Sequence, residues 1–162
     1  MGLQAAAMNR RDQIALTPDE QRHYLEGAHT IILGLNGPKG YPQLTAMWFV
    51  TDPDGTIYMT TFAKSQKAKN LERDPHCTLL IESGRTYPEL KGLMITAQAD
   101  LIRDIEKVLD MLERVNVKYN GLEPSAELRA ALRGQASKRI LVRITPVKTA
   151  SWDHAKLGAG VY

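Results

Sequence analysis

Short β-prone segments separated by turn residues recur along most of this chain, and this pattern constrains its fold more than any other feature. Ile, Val, Thr, Tyr and Phe favour strands, whereas Gly, Pro, Asn and Asp favour the tight turns between them. Turn sequences at residues 36–40 and 52–55 join the first three segments, which indicates an antiparallel meander. We predict six strands, over residues 30–35, 43–51, 56–61, 77–82, 90–102 and 139–145.

Helical signals are fewer and lie around these strands. Thr17 and Glu20 form a capping box, and Pro18 suits the first helical position, so we expect a helix to begin there. Ser65 is a candidate N-cap for a second helix, which Pro75 ends. Apolar residues at a 3.6-residue period, followed by Asn-Gly, indicate an amphipathic third helix. The predicted helices cover residues 17–26, 65–74, 105–120 and 125–133.

The arrangement of these elements favours an antiparallel barrel. Strands and helices do not alternate regularly, which argues against a doubly wound parallel sheet. We therefore predict a mainly β fold with peripheral helices, built as a six-stranded antiparallel barrel. A chain of 162 residues fits one domain. We expect that domain to span residues 17–162, after a flexible N-terminal segment of residues 1–16.

The composition excludes several classes of protein. With 43% hydrophobic and 24% charged residues, the chain matches an ordinary soluble globular protein. No apolar run approaches the ~18 residues of a membrane span. The N-terminus lacks the charged-then-apolar order of a signal peptide. We therefore expect a cytoplasmic protein with no membrane partner.

Residues that carry metal, disulfide or hydrolytic chemistry are sparse. Cys77 is the only cysteine and lies in an apolar run, which predicts a buried thiol without a disulfide. The four histidines lack the spacing of metal ligands, so we expect no metal site. No carboxylate pair, Ser-His-Asp order or Cys-His order indicates a hydrolase.

The most informative segment lies at the start of the second predicted helix. Lys64, Lys67 and Lys69 lie at or near its first turn, where the helix dipole already presents positive charge, so they are unfavourable unless an anion is bound. The same turn offers unpaired backbone N–H groups, and Thr61 and Ser65 add hydroxyl donors. This combination predicts a phosphate cradle. The lack of a glycine-rich fingerprint favours a monophosphate-bearing cofactor over a nucleoside triphosphate.

Two other interpretations of these lysines remain open. In the first, they form an ordinary solvated helix face with Glu72 and Asp74 nearby. In the second, they bind nucleic acid, but aromatic residues are not interleaved with them as a stacking platform requires. The overall charge adds little, since 21 basic residues nearly balance 18 acidic ones. We expect no nucleic-acid partner.

The order of residues around this segment resembles a known family. The matching stretches are residues 43–50, 57–61, 70–71 and 73–75 together with Ser65-Gln66-Lys67, and farther along residues 93–99, residues 142–146 and Trp152. Together they resemble the pyridoxamine 5′-phosphate oxidase-like, FMN-binding split-barrel superfamily. Within it, they are similar to the flavin/deazaflavin oxidoreductases, many of which use coenzyme F-420. The resemblance covers roughly residues 16–152.

This resemblance implies a split β-barrel that forms a homodimer, with each cofactor in a groove between two protomers. Residues 65–67 would hold the cofactor phosphate together with Thr61, and residues 45–48 would line the ring system. Lys64 and Lys69 would reach the phosphate or the longer anionic tail of F-420. The implied cofactor-binding residues are Thr45, Ala46, Met47, Trp48, Thr60, Thr61, Lys64, Ser65, Gln66 and Lys67.

The same resemblance implies an oxidoreductase. It would transfer a hydride between a conjugated small organic substrate and F-420, which we favour, or FMN. The cofactor carries the hydride chemistry, so we expect no catalytic side chain. The alternative is a non-catalytic flavin, deazaflavin or haem carrier of the same fold, because a fold does not fix a function.

The sequence departs from pyridoxamine 5′-phosphate oxidases at two places. Those enzymes carry an Arg and a Lys bracketing the second barrel strand, whereas this chain has only apolar residues and Thr45 there. The chain also ends ten residues after Trp152, without the extension that those oxidases use to bind pyridoxal phosphate. We therefore do not expect pyridoxamine phosphate oxidase activity itself.

Overall fold

The computed structural model describes residues 9–158, which form one antiparallel sheet with helices around it. The strands are β1 (Ile31–Asn36), β2 (Pro42–Met47), β3 (Val50–Thr51), β4 (Ile57–Phe62), β5 (His76–Ser83), β6 (Lys91–Ile102) and β7 (Arg139–Asp153). The α-helices are α1 (Arg10–Ile14), α2 (Pro18–Gly27), α3 (Gln66–Arg73), α4 (Ile105–Asn120) and α5 (Ala126–Ala136).

The order of the strands forces this sheet to curl into a split barrel. All neighbours are antiparallel, in the order β2-β1-β5-β6-β7-β4-β3. β2 and β3 are therefore the two edges, yet only Trp48 and Phe49 separate them along the chain. Three Cα steps span at most about 11 Å, so the two edges must approach each other. Within residues 9–158 no ladder joins these edges, and we call this open line the seam.

The sheet has seven strands, and the prediction of six is wrong at one place. The segment predicted as one strand over residues 43–51 is two strands, because β2 pairs with β1 while β3 pairs with β4 at the opposite edge. Between them, the Phe49 N–H donates to the Tyr119 hydroxyl over 3.0 Å, and the Phe49 carbonyl accepts from the same hydroxyl over 2.9 Å. A side chain of α4 thus replaces sheet pairing at this residue, and the strand is interrupted.

β7 is longer than predicted. The sequence predicts that Pro146 ends the last strand, and this is wrong, because β7 continues along β6 to Asp153. A bulge between Thr96 and Ala97 places Pro146 opposite Ala97 and Lys148 opposite Thr96. Proline has no N–H to donate, and a bulge is one of the few positions in a sheet that tolerates it.

Alternating side chains fill the barrel and leave one outer face for two helices. In β1, Ile31, Leu33 and Leu35 point inward and are buried, and the longer strands repeat this pattern. A second apolar cluster joins α4 and α5 to the outer face of β3 and β7. Its buried members are Val50, Val108, Leu109, Met111, Leu112, Ala136 and Leu141.

The predicted helix starts are confirmed where a side chain caps them. The Thr17 hydroxyl accepts from the Glu20 N–H, and the Glu20 carboxylate accepts from the Thr17 N–H. Ser65 and Ser125 each accept from the N–H three residues farther on. Gly121 ends α4 with a φ of 62°, the left-handed conformation that favours glycine. No helix in the described part of the chain is long and apolar enough to span a membrane.

The N-terminal segment packs earlier than predicted. Residues 1–8 of the predicted flexible segment lie outside the described residues. In the remainder, Arg10–Ile14 is helical, and Leu16 is buried with its N–H donating to the Ser151 hydroxyl at 2.9 Å. The packed domain therefore begins before the predicted boundary at Thr17.

A close contact between β6 and β7 gives a test of this packing. Gly92 lies opposite Trp152, and a Cβ at Gly92 would lie 2.1 Å from the indole ring. We expect Gly92→Ala to lower the free energy of unfolding by about 1–3 kcal/mol, because the indole has to move. The control is Gly134→Ala on α5, where a Cβ meets no atom within 4 Å and a helix interior favours alanine. Equal stability of the two variants in urea denaturation would contradict the close contact.

Candidate functional site

Ser65 organises the turn between β4 and α3. Its backbone N–H donates to the Phe62 carbonyl at 3.0 Å, and its hydroxyl accepts from the Ala68 N–H at 3.2 Å. The buried Thr61 hydroxyl lies 3.1 Å from the Ser65 hydroxyl. Each hydroxyl has one proton, so this contact uses one of the two and leaves the other for a further acceptor. The fold thus brings the predicted pair Thr61 and Ser65 together.

Several donors at the start of α3 have no protein partner. The backbone N–H groups of Gln66 and Lys67 donate to no acceptor within residues 9–158. The ammonium groups of Lys64, Lys67 and Lys69 form no ion pair or hydrogen bond with the described part of the chain. These free donors lie within residues 64–69, and the first turn of α3 contains no acidic residue.

The acidic side chains near α3 do not neutralise these lysines. Glu72 pairs with Arg103. Asp74 accepts from the Asn36 side chain at 2.8 Å and from His76, and these bonds, the Asn36 bond foremost, lower the pKa of Asp74 to about 2. The interpretation of the lysines as a helix face balanced by Glu72 and Asp74 therefore receives no support from the contacts.

The donor set at the start of α3 fits a phosphate group. Phosphate oxygens accept from helix N-terminal N–H groups, hydroxyls and ammonium groups. Here two free N–H groups, one hydroxyl proton and three unpaired lysines lie within residues 61–69. The residues present therefore fit the phosphate end of a flavin or deazaflavin.

A buried asparagine that the sequence analysis did not select joins α3 to β2. Asn70 is 1% exposed, and its amide donates to the Gln43 side-chain oxygen at 2.5 Å. Its own side-chain oxygen accepts from Gln66 at 2.9 Å and from Arg73 at 3.3 Å. Gln66, which the resemblance predicts to hold the cofactor phosphate, thus directs its side-chain amide to Asn70. In the sequence, only the neighbouring apolar Leu71 marks this position as buried.

The predicted ring-lining residues of β2 divide between two faces. Thr45 and Met47 are half-buried on the inner face, and Met47 packs against the barrel core. Ala46 is exposed on the outer face, as strand alternation requires. No single surface of one protomer therefore includes all three residues.

Trp48 lies at the seam in an aromatic cluster. Its indole stacks on Tyr119 with 4.5 Å between ring centroids and 5° between ring planes, and His29 meets both rings edge-on. One face of the indole is therefore packed, while 46% of the residue's surface remains exposed. Trp48 thus presents an aromatic surface at the point where the chain crosses between the sheet edges.

Thr60 points to the outer face of β4, away from the Thr61–Ser65 pair. Its hydroxyl accepts from Arg139 Nη1 at 3.3 Å. Arg139 begins β7 and lies opposite Phe62 in the ladder, and the sequence analysis did not select it. Because 79 residues separate it from Thr60, only the pairing of β4 with β7 reveals the contact.

Two sequence predictions concern reactive groups. Cys77 is buried, as predicted, and burial, with a smaller contribution from the Asp74 charge, raises the pKa of its thiol to about 11. The thiolate, which is the reactive form, is therefore scarce at neutral pH. Among residues 9–158, no three His, Cys, Asp or Glu side chains lie together as metal ligands would.

The Asn70 network gives a second test. We expect Asn70→Ala to lower the free energy of unfolding by about 1–3 kcal/mol, because Gln43 and Gln66 lose a buried hydrogen-bond partner. The control is Asn120→Ala, since Asn120 is exposed and its amide makes one side-chain bond, to Asn116. Urea denaturation measures both variants. A loss in Asn70→Ala no larger than in the control would show that this network does not hold α3 to β2.

Comparisons with known proteins identify the family. Residues 17–153 match the pyridoxamine 5′-phosphate oxidase family. The crystal structure of a conserved hypothetical protein from Mycobacterium tuberculosis is 35% identical over 95% of both chains, with a TM-score of 0.86. An F-420 reductase, 22% identical over 79% of this chain and 94% of its own, has a TM-score of 0.61. The haem storage protein HutZ from Vibrio cholerae, 19% identical over 81% of this chain and 90% of its own, has the same score of 0.61. Comparison with curated proteins gives no match. The chain belongs to the pyridoxamine 5′-phosphate oxidase family, and its fold is a split barrel of that superfamily.

Proposed function

We propose that this chain is an oxidoreductase that binds coenzyme F-420 or FMN and transfers a hydride to or from a conjugated small organic substrate. The observation that carries the proposal is the donor set at the start of α3, where free N–H groups and unpaired lysines adjoin the Thr61–Ser65 hydroxyls. Membership in the pyridoxamine 5′-phosphate oxidase family supports a flavin-type ligand for that donor set.

In this proposal the chain's own residues bind, orient and shield the coenzyme. Ser65, Lys67 and the backbone N–H groups of residues 66 and 67 hold the phosphate. Trp48, whose indole is restricted by stacking on Tyr119, would line the ring system. When bound, the coenzyme supplies the hydride chemistry. The rate then depends on distance and orientation, which several groove residues set jointly.

We favour F-420 over FMN. The second barrel strand carries no Arg or Lys of the kind that pyridoxamine 5′-phosphate oxidases place there. The start of α3 instead has three unpaired lysines, which is more positive charge than one phosphate monoester requires. Lys64 and Lys69 are therefore available to a longer anionic tail. The F-420 reductase of similar fold is consistent with this choice at the level of fold alone.

A non-catalytic flavin, deazaflavin or haem carrier is the alternative. The fold does not decide between the two, since one structure of similar fold is a reductase and another is a haem storage protein. Bound haem needs an axial ligand, whereas a flavin needs an anion site and an aromatic or apolar wall. The donor set at α3 favours the flavin-type ligand.

We also propose a homodimer that uses the outer face of β1, β2, β5 and β6. Leu44 is 69% exposed and Met94 39% exposed on this face. Contiguous exposed apolar surface of this kind is typical of protein interfaces. The face consists of two rows of cross-strand neighbours, Ala46–Ile32–Leu80–Met94 and Leu44–Gly34–Thr78–Thr96.

Fluorescence titration of the purified protein with F-420, FMN and haem tests the proposed function. We expect saturable binding of F-420 or FMN, and reduction of an enone, quinone or tetrapyrrole when the reduced coenzyme is supplied. Binding without turnover across such a panel would favour the carrier. If neither F-420 nor FMN binds, the proposal is wrong.

Lys67→Ala tests the phosphate cradle directly. A charge-assisted hydrogen bond is worth about 1.5–3 kcal/mol, so we expect coenzyme affinity to fall roughly 10- to 150-fold with little change in stability. The control is Lys107→Ala, because Lys107 also lies in the first turn of a helix, at α4. Unchanged coenzyme affinity in Lys67→Ala would contradict the cradle.

Met94→Glu tests the dimer. In a symmetric interface the variant would bury one carboxylate from each protomer among apolar side chains, which is unfavourable. We therefore expect the variant to be monomeric at a micromolar concentration at which the wild type is dimeric. Analytical ultracentrifugation measures both. The control is Leu122→Glu, an exposed position in the loop after α4. A monomeric wild type, or a dimeric Met94→Glu, would contradict this interface.

A further inference from the structure

Arg139 is a cation with an incomplete set of partners. Its Nη1 donates to the Thr60 hydroxyl at 3.3 Å, and its guanidinium carbon lies 4.4 Å from the centroid of the Phe62 ring. Its Nε is buried and has no hydrogen-bond partner in the described chain. A buried N–H without an acceptor costs about 1–3 kcal/mol, so an acceptor supplied by a ligand would stabilise this side chain.

No carboxylate compensates Arg139. It takes part in no ion pair within residues 9–158, whereas Arg143, the next arginine on the same face of β7, pairs with Asp100 at 3.1 Å. Burial lowers the pKa of Arg139, which means that its charged form is less stable here than in water. A partly buried charge is expected to be paired. Arg139 therefore has an unmet requirement for a negative group.

Arg139 and Thr60 line a cavity of about 270 Å³ between the barrel and the helices α4 and α5. No acidic residue lines it. It is smaller than the roughly 300–1,000 Å³ of a pocket that holds a whole ligand, so it suits one end of a ligand. Its polar and aromatic walls also include Trp48, Asn116, Asn120 and Gln135.

The free donors of this cavity suit an oxyanion. Arg139 Nε has no acceptor. The Thr60 hydroxyl accepts from Arg139 and keeps its own proton to donate. The Gln135 side-chain amide has no partner in the part of the chain that the structure describes. A phosphate or carboxylate can accept from donors of this kind, whereas a cation or an apolar group would leave them unpaired.

We propose that Arg139, with Thr60, binds a carboxylate of the F-420 tail, while the coenzyme phosphate occupies the cradle at the start of α3. This inference rests on the proposed function and adds a binding residue to it. Trp48, in the wall of the same cavity, links this anion site to the seam.

Coenzyme pairs that differ in one anionic group test this assignment. The first pair is FMN and riboflavin, which lacks the phosphate. The second pair is F-420 and the analogue that keeps its phosphate but lacks the tail. Fluorescence titration measures the affinity of the wild type and of Arg139→Met for all four compounds.

We expect Arg139→Met to lose affinity roughly 10- to 150-fold for F-420, and little for its tail-free form, for FMN or for riboflavin. A loss for F-420 alone supports the tail carboxylate as the ligand of Arg139. A loss for FMN but not for riboflavin would place the phosphate at Arg139 and overturn the assignment.

Arg143→Met is the matched control, since it removes an arginine from the same face of the same strand. We expect this variant to leave the affinity for both members of each pair unchanged. Arg139→Lys keeps the charge without the planar fork, and its expected loss is smaller than that of Arg139→Met. If urea denaturation shows that Arg139→Met is not folded, Arg139→Lys is used for the test instead.

Two further results would overturn the assignment. An equal loss for both members of each pair, or no loss for any anionic ligand, rejects the role of Arg139 and leaves the proposed function in place. Failure of the wild type to bind any of these coenzymes rejects the proposed function, and the assignment with it.

Discussion

The Tyr119 hydroxyl holds the point on which closure of the barrel depends. It accepts from the Phe49 N–H and donates to the Phe49 carbonyl, which also accepts from Lys118 Nζ at 3.2 Å. Phe49 is fully buried, so without these bonds its backbone groups would be unpaired at the seam. Burial raises the pKa of Tyr119, so the hydroxyl stays protonated and remains a donor at neutral pH. This clamp lets the chain pass from one sheet edge to the other within two residues.

The same clamp couples the helical layer to the candidate site. The helix α4, which supplies Tyr119, packs on the outer face of the barrel and carries Asn116 and Asn120 in the cavity wall. Trp48 stacks on Tyr119 and lines the same cavity. The position of Trp48 relative to Arg139 is therefore set by a packed helix as well as by strand geometry. Sites supported by rigid elements of this kind are pre-organised for binding.

The sequence predicted those parts of the fold that depend on near neighbours. The capping box at Thr17 and the cap at Ser65 involve residues three apart, and both are confirmed. The interruption after Trp48 depends on a tyrosine 70 residues away, which no local pattern contains. The continuation of β7 through Pro146 depends on a bulge in its register with β6. In both cases tertiary pairing decided what propensity left open.

In the candidate site, too, contacts between near neighbours could be predicted from the sequence, whereas contacts between distant residues could not. The contact between Thr61 and Ser65 spans four residues and follows from their order in the sequence. The bond of Asn70 to Gln43 spans 27 residues and that of Arg139 to Thr60 spans 79, so neither follows from the local sequence. The apolar Leu71 beside it was the only local sign that Asn70 is buried. For Arg139 there was none, because an arginine at a strand start is unremarkable until its neighbour across the ladder is known.

Two adjacent residues of β4 lie beside two different groups of cations, the lysines at the start of α3 and Arg139. Thr61 points inward to Ser65, and Thr60 points outward to Arg139, so the cradle and Arg139 lie on opposite faces of one strand. The two faces meet at the end of β4, where the exposed Phe62 ring lies beneath the Arg139 guanidinium. One phosphate in the cradle leaves Arg139 without an anion. A ligand with a second anionic group supplies an anion for each of these two groups of cations, which is consistent with the proposed binding of F-420 through its phosphate and its anionic tail.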